Sequence, residues 1–330
     1  MTVTQNAINV PKPRSINWID FASRYGTVFA ALLIFIVFSI FSPRFLSANN
    51  LSNVLIQISA LTVVASALTV AVVSGEFDLS VGQVAGLSSM LVAGLLVLNN
   101  QPVFVAIPLS ILAGLIIGVV NGFLVTKLRI PSLIATLGMG PIALGINYAY
   151  SGGDSIYAQM PDAFYYLSTG RLFGFFPVPV LLAIVVVIAV HTLINKTRYG
   201  RATVATGTNI VAARLSGINV NRCRQIALVI SATGASVAGV MLTARLGTGQ
   251  PGAGEPYLMD ALTAVFIGMT CFRPGRASVE GTIIGVCIIG MLDNGLNLLG
   301  APFYLQNIVR GVVMIAAVAL AVLRGEIRFF

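Results

Sequence analysis

The chain has 330 residues, of which 57% are hydrophobic and only 9% charged, and its mean hydropathy is +0.94. Soluble domains carry about 25% charged residues, so this chain cannot cover a water-facing surface with polar groups, and lipid is the solvent that suits it. Its net charge of +9 fits either a nucleic-acid ligand or a topological charge bias, and the positions of Lys and Arg decide between them.

A hydrocarbon core of roughly 30 Å needs about 20 apolar residues per helix, and backbone polar groups in lipid must be satisfied within their own segment. The expected fold is therefore all-α, a polytopic integral membrane protein; the alternating pattern of a β-barrel strand is missing. Apolar runs predict about ten transmembrane helices, over 25–42, 51–73, 81–98, 103–125, 131–150, 178–195, 226–245, 258–272, 281–298 and 304–323. This divides the chain into a tail (1–24), a membrane domain (25–324, with a long loop at 196–225) and a second tail (325–330).

The first run follows a polar leader with Lys12, Arg14 and Arg24, as a cleaved signal would. A second apolar run follows without a small-residue cleavage pattern, which favours a retained first helix. Pro43 stands where that helix should stop. Ser80 and Gln83 fit a capping box opening the third span, and Pro131 suits the first helical position of the fifth. Pro141 predicts a kink within the fifth. Residues 151–177 form a hydrophilic outer loop with Asp154 and Asp162. The 258–272 span is short and follows a Gly/Pro-rich stretch; it is either a broken or re-entrant helix or a tilted one. Ala67-Leu68-Thr69 and Ala261-Leu262-Thr263 give a faint internal echo of the kind found in transporter repeats.

Ten spans put both termini on one side. With a cytoplasmic start, fifteen of the nineteen Lys and Arg fall inside: Lys12, Arg14 and Arg24; Lys127 and Arg129; Lys196, Arg198, Arg201, Arg214, Arg222 and Arg224; Arg273 and Arg276; Arg324 and Arg328. The opposite orientation violates the positive-inside rule. The basic charge is thus topological, and nucleic acid drops out as a partner.

Enzyme chemistry finds no foothold. His191 is the single histidine, at the inner end of its span, and no HExxH, GxSxG or Walker-type Gly-Lys-Ser/Thr motif occurs. The cysteines Cys223, Cys271 and Cys287 have no metal-ligand spacing, and their odd number argues against a disulfide framework. No catalytic, metal or cofactor site is expected. An ion-coupled carrier would place carboxylates in mid-membrane; Asp293 is the best candidate, with Arg310 at a matching depth of roughly 7–9 Å by helical rise. A buried charge normally needs a partner, so Asp293 and Arg310 are expected to form a structural ion pair. In the long loop, Asn209 is a good N-cap for a short helix over Ile210–Leu215, with Ser216-Gly217 as its stop.

Several motifs in register resemble one family. Ser74-Gly75-Glu76-Phe77-Asp78-Leu79-Ser80-Val81-Gly82 is similar to the GGIDLSVG-like signature of ribose-type ABC sugar permeases. Asn121-Gly122, Ile130-Pro131-Ser132 and Thr136-Leu137-Gly138 match as well, as do Leu215 to Val220 and Asn294-Gly295-Leu296-Asn297-Leu298-Leu299-Gly300. The resemblance runs from about Arg24 to Arg324. It implies a ten-helix permease of the bacterial inner membrane, with both termini cytoplasmic. The implied partners are a second permease, identical or not, two cytoplasmic ATPase subunits and a periplasmic solute-binding protein.

In that scheme Asn209, Ala212, Ala213, Arg214, Leu215, Ser216 and Gly217 receive the ATPase stroke. Glu76, Asp78, Ser80, Asn121, Asn294 and Asn297 line the path or gate. Three features depart from the pattern: Glu76 replaces a usual Gly, 269–276 replaces a Gly-rich turn, and Asp293 stands where Asn is common. Glu76 and Asp78 either pair with Arg273 and Arg276 across the inner mouth or stay separately solvated. The alternatives are an ion-coupled secondary transporter and an ABC permease for another small polar solute, such as a branched-chain amino acid.

Overall fold

The computed structural model describes residues 18–157, 159–272 and 275–323, with the side chains of 18–26, 28 and 320–323 outside the description. Lys12, Arg14, Arg273, Arg324, Arg328 and the side chain of Arg24 therefore lie outside the described residues. The protein is an all-α polytopic membrane protein. Each predicted span coincides with a helix: α1 (Trp18–Phe41), α2 (Ala48–Val73), α3 (Val81–Val97), α4 (Val103–Thr126) and α5 (Ser132–Ser151), then α7 (Val178–Lys196), α10 (Val220–Leu246), α11 (Pro256–Met269), α12 (Val279–Leu298) and α13 (Phe303–Leu323). Three further helices, α6 (Asp162–Thr169), α8 (Arg198–Thr208) and α9 (Ile210–Leu215), lie in the two long connections. Helices α1 and α10 begin six or more residues before their predicted starts. Hydropathy marks only the lipid-length part of a helix, while the backbone ladder continues wherever its own hydrogen bonds close.

Helices α2 and α10 form the hub: 72% of the apolar stretch of each is buried, against 28% for α4 and α7. In lipid, helix association rests on close van der Waals packing and interhelical hydrogen bonds. Gly114, Gly118 and Gly122 supply the first on α4. At four-residue spacing they share one face, and a Cβ on any of them would strike α10 at Ser236, Val229 or Gln225. Hydroxyl pairs supply the second: Ser88–Ser236 at 2.7 Å, Ser89–Thr243 at 2.6 Å and Thr69–Thr282 at 2.8 Å.

The 151–177 connection is built rather than loose. Its strand β1 (Ile156–Tyr157) pairs antiparallel with β4 (Thr248–Gly249), and β2 (Arg171–Leu172) pairs with β3 (Phe176–Pro177). Ile156, Met160 and Phe164 bury against Met90, Ala93 and Leu96 of α3.

The short eighth span has a structural cause. Helix α10 ends at Gly247, whose φ of +69° suits a residue without Cβ. The chain then runs through β4 and a series of turns to Glu255 before α11 begins. This stretch lies along α3, with Gly249 beside Met90 and Ala93 and Gly254 beside Gly82 and Gly86. Non-helical backbone is tolerated within a membrane protein where it is covered by protein. At 14 residues, α11 spans about 21 Å, roughly two-thirds of the hydrocarbon core; it is a shortened helix with an irregular entry.

Two local expectations fail. The Ser80 hydroxyl makes no helix-capping bond; it donates to Asp78 Oδ1 instead, at 2.5 Å. Pro131 occupies the cap position, and α5 begins at Ser132. Pro141 does lie within α5, and a second proline, Pro108, lies within α4.

Candidate functional site

Residues 74–80 join α2 to α3 and bury their polar side chains: Ser74, Asp78 and Ser80 are fully covered and Glu76 is 2% exposed, while Phe77 and Leu79 are half-buried. A buried loop must find partners for its backbone donors, and α5 supplies them. Phe77 N–H donates to Ser132 Oγ at 3.2 Å, and Leu79 N–H donates to Thr136 Oγ1 at 3.0 Å. The two hydroxyls stand one helical turn apart, matching the two-residue rhythm of the loop. Asp78 Oδ1 accepts from Ser80 N–H at 3.0 Å as well as from its hydroxyl, closing the turn into α3. Asn121 of α4 completes the chain by donating through Nδ2 to Ser80 Oγ at 3.1 Å. Burial pushes the Asp78 carboxyl above the ordinary range, against the lowering pull of the Ser80 and Ser231 hydroxyls.

Glu76 forms an ion pair with Arg224, in the first turns of α10. This corrects the solvated reading of Glu76; Arg276 stands exposed, and Arg273, the other arginine expected across the mouth, lies outside the described residues. Asp78 has no ion partner among the described residues. Arg224 was legible as a basic loop residue, yet nothing in its spacing pointed to Glu76, 148 positions away.

The long loop is almost wholly helical. Helix α8 was not expected, because Arg198–Thr208 is polar and rich in Gly and Thr. Thr197 Oγ1 caps it by accepting from Gly200 N–H at 3.0 Å, and Tyr199 donates its hydroxyl to the Cys223 carbonyl at 3.1 Å. Burial raises the Tyr199 hydroxyl to about 12. Gly207, near the end of α8, lies against Val73 and Gly75 so closely that a Cβ would meet the Val73 carbonyl.

Asn209 then ends α8 and caps α9, its Oδ1 accepting from Val211 N–H at 3.1 Å and Ala212 N–H at 2.9 Å. Helix α9 carries Ala213 buried, while Ala212, Arg214, Ser216 and Gly217 are exposed. Val211 is 65% and Leu215 84% exposed. An apolar tip on polar supports therefore stands at one end of the bundle. It is wired to the 74–80 loop by the Gly207 contact and the Arg224–Glu76 pair.

The other predicted residues separate. Asn294 exchanges two hydrogen bonds with Asn50 at 2.9 and 3.0 Å, tying the end of α12 to the start of α2, and Asn297 is exposed. Arg310 grips Asp293 with two bonds of 2.9 and 2.8 Å, and its Nε also lies 3.5 Å from Asp260 Oδ1. The burial of Asp260 and its place in this group are not legible in the sequence, since no periodicity links 260 to 310. His191 meets Glu280 at 2.7 Å, joining α7 to α12. Among the described residues no group of three His, Cys, Asp or Glu is placed to hold a metal ion.

The family described as the branched-chain amino acid transport system / permease component matches residues 50–318. The ribose import permease protein of Bacillus subtilis is 37% identical over 298 residues, covering 90% of this chain and 92% of its own. The D-allose transport system permease protein of Escherichia coli is 34% identical over 308 residues, covering 93% and 94%. The L-arabinose permease protein of the same organism is 32% identical over 298 residues, covering 89% of each chain. No solved structure matches. With motifs, helix order and relatives in agreement over nearly its whole length, the chain belongs to the ribose-type family of ABC transporter permeases.

Proposed function

We propose that this chain is the membrane subunit through which a monosaccharide crosses the bacterial inner membrane, driven by ATP hydrolysed on another polypeptide. Membership of the family makes it a transport subunit and not an enzyme, with a separate ATPase and a substrate-binding protein as partners. The named relatives carry ribose, allose and arabinose, which favours a sugar over an amino acid and an ABC importer over an ion-coupled carrier. Two permease copies and two ATPases complete the assembly in this reading, with both termini cytoplasmic.

The observation that carries the mechanism is the link between α9 and the buried loop. Asn209 to Gly217 seat in a cleft of the ATPase, with Val211 and Leu215 as apolar contacts. A push on α9 is passed through α8 and the first turns of α10 to Glu76 and Gly75. The loop passes it to α5 through Ser132 and Thr136, and to α4 through Asn121. ATP binding and hydrolysis thereby shift the balance between two permease conformations by differential contact with each.

Co-purification with its ATPase and sugar uptake in proteoliposomes test this reading. Ala212→Arg, at an exposed position, is expected to abolish both while the permease still purifies as a monodisperse protein. Unchanged co-purification and uptake in that variant would overturn the coupling assignment.

A further inference from the structure

At the end of the bundle opposite α9, a cleft of about 170 Å³ opens among α2, α10, α11, α12 and α13. Its polar lining is Gln57, Arg245, Tyr257, Asp260, Asp293 and Arg310. Ionisable side chains inside a membrane bundle are expensive and mark solute pathways more often than they serve packing. This set has two carboxylates and two guanidinium groups, so formal charge cancels and a neutral solute can enter without carrying a counter-ion.

The charges are not equally satisfied. Asp293 has both oxygens occupied by Arg310. Asp260 is 6% exposed, yet among the described residues its only ionic contact is the longer one of 3.5 Å and it has no side-chain hydrogen bond. A buried carboxylate short of donors is costly, and a hydroxyl brought by a solute removes the deficit. Gln57, Arg245 and Tyr257 likewise have no side-chain hydrogen-bond partner among the described residues. The wall therefore offers an under-satisfied acceptor, a guanidinium and an amide with free donors, and an aromatic ring. That is the chemistry that recognises a ring with adjacent hydroxyls.

We infer that this cleft is a sugar-binding subsite of the permease itself, where Asp260 accepts hydrogen bonds from neighbouring hydroxyls and Gln57 and Arg245 donate to sugar oxygens. It rests on the proposed sugar-transport function and adds that the permease, and not only its binding protein, discriminates among monosaccharides. The Asp293–Arg310 pair holds the wall: it fixes the guanidinium beside Asp260 and is a positioning element rather than a contact to the sugar.

The test uses the assembled importer in proteoliposomes, with D-ribose, D-allose and L-arabinose as probes, uptake and ATP hydrolysis being followed together. Gln57→Ala and Asp260→Asn are expected to change the ratio of uptake rates among the sugars by about fivefold, the scale of one lost hydrogen bond. ATP hydrolysis stimulated by the binding protein should stay within about twofold of the unaltered complex, because α9 and the 74–80 loop are untouched. Rates that fall equally for every sugar, or in step with ATP hydrolysis, would assign the residues a structural role and overturn the subsite. If the unaltered importer moves none of the three, the sugar reading itself fails, which is a distinct result.

Discussion

Arg224 reaches a carboxylate that would otherwise have no reason to be buried. Glu76 is 2% exposed, and a buried charge stripped of its partner is destabilising by about 3–5 kcal/mol. The Arg224 side chain is 20% exposed, so solvent recovers part of that loss. Arg224→Gln should therefore lower the thermal stability of the purified permease clearly, and adding Glu76→Gln should restore most of it. A double variant no more stable than Arg224→Gln alone would show that the pair is not what holds this corner. The bidentate grip of Arg310 on Asp293 leads to a parallel expectation. Asp293→Asn removes the charge but keeps one acceptor, so it should destabilise less than Asp293→Leu in the same melting assay.

The 74–80 segment, with Ser74, Glu76, Asp78 and Ser80 buried, shows how an element without secondary structure is held. Its Phe77 and Leu79 N–H groups donate to the Ser132 and Thr136 hydroxyls, and an orphaned buried donor costs about 1–3 kcal/mol. Thr136→Val keeps shape and removes the acceptor, so a loss of that size is expected in chemical or thermal unfolding. A Thr136→Ser variant should retain most of the stability. Helix α9 has the opposite character, with six residues, an exposed face and one strong cap. Replacing an Asn cap with Ala costs about 1 kcal/mol, which a helix of this length cannot spare. Asn209→Ala should weaken ATPase co-purification while leaving the melting temperature of the membrane bundle nearly unchanged.

Across the whole molecule, the α4–α10 contact is the firmest joint, because three glycines let the backbones approach. Gly118→Leu should separate the two helices and abolish stable extraction as a folded protein, read as loss of a monodisperse peak. The orientation is tested separately. With the permease expressed without its ATPase, Leu215→Cys, at an 84% exposed position, should react with a membrane-impermeant maleimide only in inverted vesicles. Labelling from the outer face of intact cells would reverse the topology and the assignment of α9.

The number, order and approximate position of the membrane helices were readable from residue order alone, as were the α9 cap at Asn209 and the charge asymmetry of the loops. Each depends on properties carried by one contiguous stretch of chain: hydrophobic length over about five or six helical turns, cap chemistry and local charge over one or two. Tertiary structure alone decided that Glu76 meets Arg224, that Ser132 and Thr136 clamp the loop before α3, that Asp260 joins Arg310, and that α8 is a helix at all. These pairings connect residues 55 to 148 positions apart in the loop and α10 contacts, and they arise when bilayer-length helices pack at a few ångströms. Glycine contacts and buried hydroxyls then choose neighbours that no local pattern records. The helical framework is set by what each segment must hide from lipid, whereas the working contacts are set by which segments come to lie side by side.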